Sequence, residues 1–87
     1  MEQLPDNAID LGNGSWMIKV VDKDDKWIGI NEFHYNKTDG LCGGWVPFEG
    51  NKAWTVESWE PLTLSPSLLC TACSNHGWIR SGRWVNA

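Results

Sequence analysis

Apolar residues along this chain recur in short alternating runs, and no stretch carries the three-to-four-residue spacing of an amphipathic helix, so the pattern predicts an all-β fold. The run SWMIKVV over 15–21 puts Trp16, Ile18 and Val20 on one face and Met17, Lys19 and Val21 on the other. A polar turn over 22–25 leads into KWIGINEFHY over 26–35, which reads as the returning strand. Period two places Ile28, Ile30, Glu32 and His34 on one face of that strand and Trp27, Gly29, Asn31, Phe33 and Tyr35 on the other. His34 thus ends the strand beside a carboxylate, and Gly29 reads as a bulge or a site of close approach.

Outside this hairpin the pattern is more broken. Residues 1–14 contain Pro5, Gly12 and Gly14 with no sustained period and read as an irregular lead-in, which leaves 15–87 as a single domain. The segment NKTDGLCGG over 36–44 reads as a glycine-rich loop carrying Cys42. Residues 45–48 and 53–59 read as two short strands joined by a turn over 49–52, with Pro47 at an edge or bulge. After Pro61, Leu62, Leu64 and Pro66 alternate with Thr63, Ser65 and Ser67. Pro66 has no amide N–H and predicts a kink, from which Ser67 is presented outward.

The last run, GWIR-SG-RWV, is the clearest local signal. Ser81-Gly82 is a two-residue hairpin turn, and the register it sets pairs Arg80 with Arg83, Ile79 with Trp84 and Trp78 with Val85. The arginine pair costs roughly a few tenths of a kcal/mol unless an acid answers it.

A domain of 87 residues buries a small core and usually needs a staple. The candidates are three cysteines and two histidines; an odd cysteine count with no apolar leader points to a reducing, cytoplasmic setting and to zinc rather than disulfides. The net charge of −4 leaves no basic stripe for nucleic acid, and no apolar run approaches the roughly 18 residues of a membrane span. Seven tryptophans stand in for a bulky aliphatic core, with a share of them available as a surface for a protein partner.

Cys70-x-x-Cys73 is a knuckle whose two sulfurs can reach one tetrahedral ion, with structural zinc as the expected occupant. Cys42, His34 and His76 compete for the other two positions. Cys42 with His34 is the favoured pair because it staples the N-terminal hairpin to the C-terminal one, while His76 in a compact C-x-x-C-x-x-H unit is the alternative. An open catalytic zinc with Glu32 as base is a lesser reading. If His34 is the ligand, His76 is free to act as a base toward Ser67, nine residues earlier. By spacing alone, a turn serine and a satisfied histidine explain the pair as well.

The residues PLTLSPSLLC and CSNHGWIRSGRW resemble the Pro-Thr-x-Ser-Pro-Ser-Leu motif and the later Cys/His-[Gly/Ser]-aromatic-[Ile/Val]-Arg-x-Gly motif of the BubE family. Its members are small zinc-bearing β proteins, common in phage genomes and encoded beside bacterial ubiquitin-like conjugation genes, where they are regarded as serine peptidases. The resemblance begins near Gly44-Trp45 and is specific mainly over 61–85. It implies Ser67 as nucleophile, His76 as general base and Cys73 as a metal ligand. The upstream Cys-Pro-x-Cys motif of longer members is replaced by His34 and Cys42, Leu62 is inserted between Pro61 and Thr63, and the chain stops at Ala87 where longer members continue. The expectation is a cytoplasmic hydrolase of a bacterial host cell that cleaves at the C-terminus of a ubiquitin-like protein, with Glu32, Glu57 or Asp39 as candidates to orient His76. The alternative is a non-enzymatic zinc-stapled β module, such as a phage-encoded inhibitor covering a host protein.

Overall fold

In the computed structural model, alternating side chains and positive-φ turns fold the described residues, 4–36 and 40–87, into nine strands. These are β1 (Ala8–Gly12), β2 (Ser15–Val21), β3 (Trp27–Asn36), β4 (Gly40–Pro47), β5 (Thr55–Trp59), β6 (Leu62–Ser65), β7 (Leu68–Leu69), β8 (His76–Arg80) and β9 (Arg83–Asn86). They form an antiparallel sheet in the order β1-β2-β3-β4, a β5-β6 pair and a β7-β8-β9 sheet. Among the described residues there is no helix, so none is long and apolar enough to cross a membrane.

The β2–β3 hairpin follows the expected alternation. Ile30, Glu32 and His34 are all buried on one face of β3, and Met17 on β2 lies across from Glu32. Gly29 lies at a site of close approach, since a Cβ there would stand 2.8 Å from Cζ3 of the Trp45 ring.

Residues 1–14 are not an irregular lead-in throughout. Ala8–Gly12 forms β1, pairs with β2 and buries Leu11. The physical reason lies in Gly12-Asn13-Gly14, which take φ values of 79°, 54° and 80° and turn the chain back on itself. Residues 1–3 of that segment lie outside the described residues.

The loop expected over 36–44 is corrected as well. From Gly40 onward it is β4, paired residue for residue with β3 from Asn36↔Gly40 to Gly29↔Pro47, while 37–39 lie outside the described residues. Its glycines are accommodated by cross-strand packing: a Cβ on Gly43 would stand 2.7 Å from the Phe33 ring, which covers it. The turn over 49–52 joins two sheets instead of closing a hairpin, because β5 pairs with β6.

Leu62 and Leu64 on β6 are buried and Thr63 and Ser65 half-buried, as the alternation requires. The Ser65–Pro66 peptide is cis, and the strand pattern resumes at Leu68. In the β8–β9 hairpin the register is Trp78↔Val85, Ile79↔Trp84 and Arg80↔Arg83, around Ser81 and Gly82 at φ 51° and 75°. The hairpin tip is tied to β6 by Gly82 N donating to Leu62 O at 2.8 Å and Ser81 N to Thr63 Oγ1 at 2.9 Å.

One core joins the three sheets: Leu11, Met17, Ile30, Val46, Leu62, Leu64, Leu68, Ile79 and Trp84 pack together, with Trp27, Phe48, Trp54 and Val56 against them. Trp16 and Trp84 are buried, while Trp45 and Trp59 remain about half exposed at 48% and 52%. The tryptophans therefore divide between packing and surface.

Candidate functional site

His34 and Cys42 are direct cross-strand partners in the β3–β4 ladder, so their side chains leave the sheet on the same side. Cys70 and Cys73 come from the turn that follows β7. There Ser74 N donates to Cys70 O at 2.7 Å, Cys70 N donates to Asn75 O at 2.8 Å, and Ser74 takes φ 64°. The result is a cluster in which one ligand atom each from His34, Cys42, Cys70 and Cys73 all lie within 4.8 Å of one another.

Three sulfurs and one imidazole nitrogen form a closed donor set of the kind that holds a soft, tetrahedral ion. This group can hold a metal ion. His34 and Cys42 are buried and Cys70 and Cys73 half-buried, so the cluster lies under the surface. It gathers His34 and not His76 with the cysteines.

The protonation pattern of the cluster follows from its contacts. Burial alone would lower the pKa of His34, but hydrogen bonds to Glu32 and Cys73 and the charge of Glu32 outweigh it and raise it to about 9. Its Nδ1 lies 2.9 Å from Glu32 Oε2 and its Nε2 lies 3.2 Å from Cys73 Sγ. Burial raises Glu32, with the His34 hydrogen bond opposing the shift. Burial would also raise Cys70, yet the backbone N–H groups of Cys73 and Ala72, together with the Cys73 and His34 side chains, bring it down to about 7. Cys42 moves the other way, to about 11, through burial and the neighbouring Cys73 and Cys70.

Ser67 and His76 meet outside the His/Cys cluster. Ser67 precedes β7 and His76 opens β8; the pairing Leu69↔His76 and Leu68↔Gly77 folds one over the other, and His76 Nε2 lies 2.8 Å from Ser67 Oγ. His76 is exposed and Ser67 half-buried, so the pair is open to solvent. Gly77 allows this placement, because a Cβ there would stand 2.7 Å from Cζ2 of the buried Trp84 ring and closer still to Val85 O.

Two further residues matter that sequence reasoning left unassigned or placed elsewhere. Trp54 Nε1 donates to Ser67 O at 3.3 Å and so anchors the backbone of the serine; nothing local in the sequence links the two. Glu32 was a candidate to orient His76, but it is committed to His34. Asp39 lies outside the described residues, Glu57 is exposed on β5, and no carboxylate among the described residues is hydrogen-bonded to the His76 ring. Between β4 and β7 a cavity of about 190 Å³ is walled by Trp45, Trp54, Leu68 and Leu69, with Glu32 and His34 also in its lining.

In comparisons with known proteins, no family model, curated protein or solved structure matches the chain.

Proposed function

We propose that this protein is a zinc-stapled serine peptidase of the BubE type that cleaves at the C-terminus of a ubiquitin-like protein in the cytoplasm of a bacterial host cell. The observation that carries the reading is the 2.8 Å approach of His76 Nε2 to Ser67 Oγ, formed by two residues that the motif resemblance singles out as nucleophile and base. The group that can hold a metal ion is made of His34, Cys42, Cys70 and Cys73 and does not include His76, which supports a separate acid–base role for His76.

His76 Nε2 accepts the Ser67 hydroxyl proton as Oγ attacks the scissile carbonyl. The protonated imidazole then gives that proton to the departing amine, the C–N bond breaks, and an acyl ester on Ser67 remains. Water, deprotonated by the same nitrogen, hydrolyses the ester and restores the hydroxyl. The Trp54 indole N–H on Ser67 O holds the serine backbone in place while its side chain reacts.

Zinc would be held by His34, Cys42, Cys70 and Cys73, where it supplies folding free energy and not chemistry, since four protein ligands close the coordination sphere. Glu32 supports that role by fixing the His34 ring.

The test is labelling of the folded, zinc-loaded protein with a fluorophosphonate probe, alongside cleavage of a ubiquitin-like protein fused through its C-terminus to a reporter. We expect one adduct on Ser67, absent in Ser67→Ala and slowed in His76→Gln. Indifference of the wild type to both the probe and the fusion would overturn the reading.

A second reading is supported by a separate observation. Trp59 is 52% exposed yet held against Trp27 and Phe48 at ring-centroid separations of 5.4 and 5.6 Å, which makes a rigid aromatic platform of the kind that anchors protein partners. On this reading the protein is a binding module that covers a host protein. Its partner would be retained by Ser67→Ala and lost by Trp59→Ala.

A further inference from the structure

The solvent face of β8 carries an ordered strip that begins at the base. His76, Trp78 and Arg80 alternate along the strand, so their side chains leave the same face. The His76 and Trp78 rings are 5.9 Å apart at an interplanar angle of 31°, and the Arg80 guanidinium lies 4.6 Å from the Trp78 ring centroid. Arg80 therefore lies against an aromatic surface while remaining exposed to solvent.

Nothing in the described part of the protein answers this charge. Arg80 faces Arg83 directly across the hairpin, both are exposed, and neither forms an ion pair among the described residues. The Arg83 guanidinium lies near Gly12 of β1, its Nη2 3.1 Å from where a Cβ there would stand. The chain has 11 acidic residues against 7 basic ones, so an internal carboxylate was available in composition and was not used here. Opposed like charges weaken a hairpin, and an external anion would relieve them.

We propose that this strip reads an acidic residue of the protein substrate, with Arg80 taking its carboxylate bidentately. The inference rests on the Ser67–His76 reading above and adds a substrate feature to it. Together these two separations place the guanidinium within about 11 Å of the His76 ring, a span that an extended chain crosses in about three residues. The acid would thus lie within about three residues of the scissile bond. General attraction does not account for such a preference, because the protein carries a net charge of −4 and repels acidic peptides elsewhere on its surface.

The experiment uses the full-length, metal-loaded Ser67→Ala protein and two peptides, acetyl-tetraglutamate amide and acetyl-tetraglutamine amide, followed by NMR at the Trp78 indole N–H. We expect tetraglutamate to bind about tenfold more tightly, in line with a charge-assisted bidentate contact. That preference should vanish in Arg80→Gln and survive in weakened form in Arg80→Lys, both checked for retained metal and fold. Equal binding of the two peptides, or a preference that survives Arg80→Gln, overturns the proposal. So does tighter binding of tetrathymidylate, which would make the strip a nucleic-acid contact. Fluorophosphonate labelling of the wild type, run in parallel, separates the two claims: labelling without the preference removes this inference alone, and the preference without labelling removes the serine chemistry alone.

Discussion

The Glu32 carboxylate lies 2.9 Å from His34 Nδ1, while Nε2 of the same ring faces Cys73 Sγ at 3.2 Å. A carboxylate on one nitrogen keeps the proton there and leaves the other nitrogen's lone pair for a metal, as in other carboxylate–histidine–metal arrangements. We expect Glu32→Gln to weaken zinc affinity by about 10–100-fold while the four ligands stay in place. Competition against a chromophoric chelator measures this, and an unchanged affinity would show that Glu32 is a passive neighbour.

Metal loading should depend steeply on pH. In the metal-free cluster burial pulls His34 down, but hydrogen bonds to Glu32 and Cys73 and the Glu32 charge hold it at about 9, and burial with the neighbouring thiols holds Cys42 at about 11. Both therefore retain protons at neutral pH, and an incoming ion must displace them. Affinity should rise as pH rises toward 9, with proton release seen in weakly buffered titrations. A flat profile across that range would mean that His34 and Cys42 do not both bind the ion.

The two histidines should separate cleanly on substitution. His34 sits among the sulfurs, and His76 is bonded to Ser67 Oγ at 2.8 Å outside the cluster. His76→Ala should keep a full equivalent of zinc and its fold but lose fluorophosphonate labelling. His34→Ala should lose zinc and, with it, cooperative unfolding, as should treatment of the wild type with a strong chelator. Zinc content by atomic emission and near-ultraviolet circular dichroism report on both, and loss of zinc from His76→Ala would contradict this assignment.

What the sequence made legible follows from how local each signal is. The Ser81-Gly82 turn sets the β8–β9 register by itself, because two residues with positive φ admit a single pairing. Period two in β3 likewise puts Glu32 and His34 on one face from local geometry alone. Cys42 was a harder case. Its glycine-rich surroundings have poor strand propensity, and only pairing with β3, with Phe33 packed over Gly43, makes them a strand. Strand β1 was hidden for a similar reason, since Gly12-Asn13-Gly14 punctuates a hairpin as readily as a lead-in. The bond from Trp54 to Ser67 O joins separate elements and has no local trace at all.

Gly77 should tolerate no side chain. Its position is crowded by the Trp84 ring, where a Cβ would stand 2.7 Å from Cζ2, and by Val85 O, which is backbone in a paired strand. Trp84 is 2% exposed and belongs to the central core, so it cannot swing outward without exposing that core. Gly77→Ala should cost about 1–3 kcal/mol by overpacking. Denaturant unfolding measures the loss, and a stability within error of wild type would mean that β8 and β9 shift apart without penalty.

Trp54 offers a way to test whether the serine backbone needs holding. Its indole N–H donates to Ser67 O at 3.3 Å, and its half-buried ring packs against the core beside β7. Trp54→Phe removes the donor and keeps most of the ring. The lost hydrogen bond should cost about 0.5–1.5 kcal/mol in stability. A role confined to packing predicts nothing more. If the bond positions Ser67 for attack, fluorophosphonate labelling should slow well beyond the fraction of protein unfolded, with zinc content unchanged, because misplacing a nucleophile acts on the rate constant and not on the folded population. Labelling at the wild-type rate in a measurably destabilised Trp54→Phe would restrict Trp54 to the core and leave His76 as the sole side-chain partner of Ser67 among the described residues.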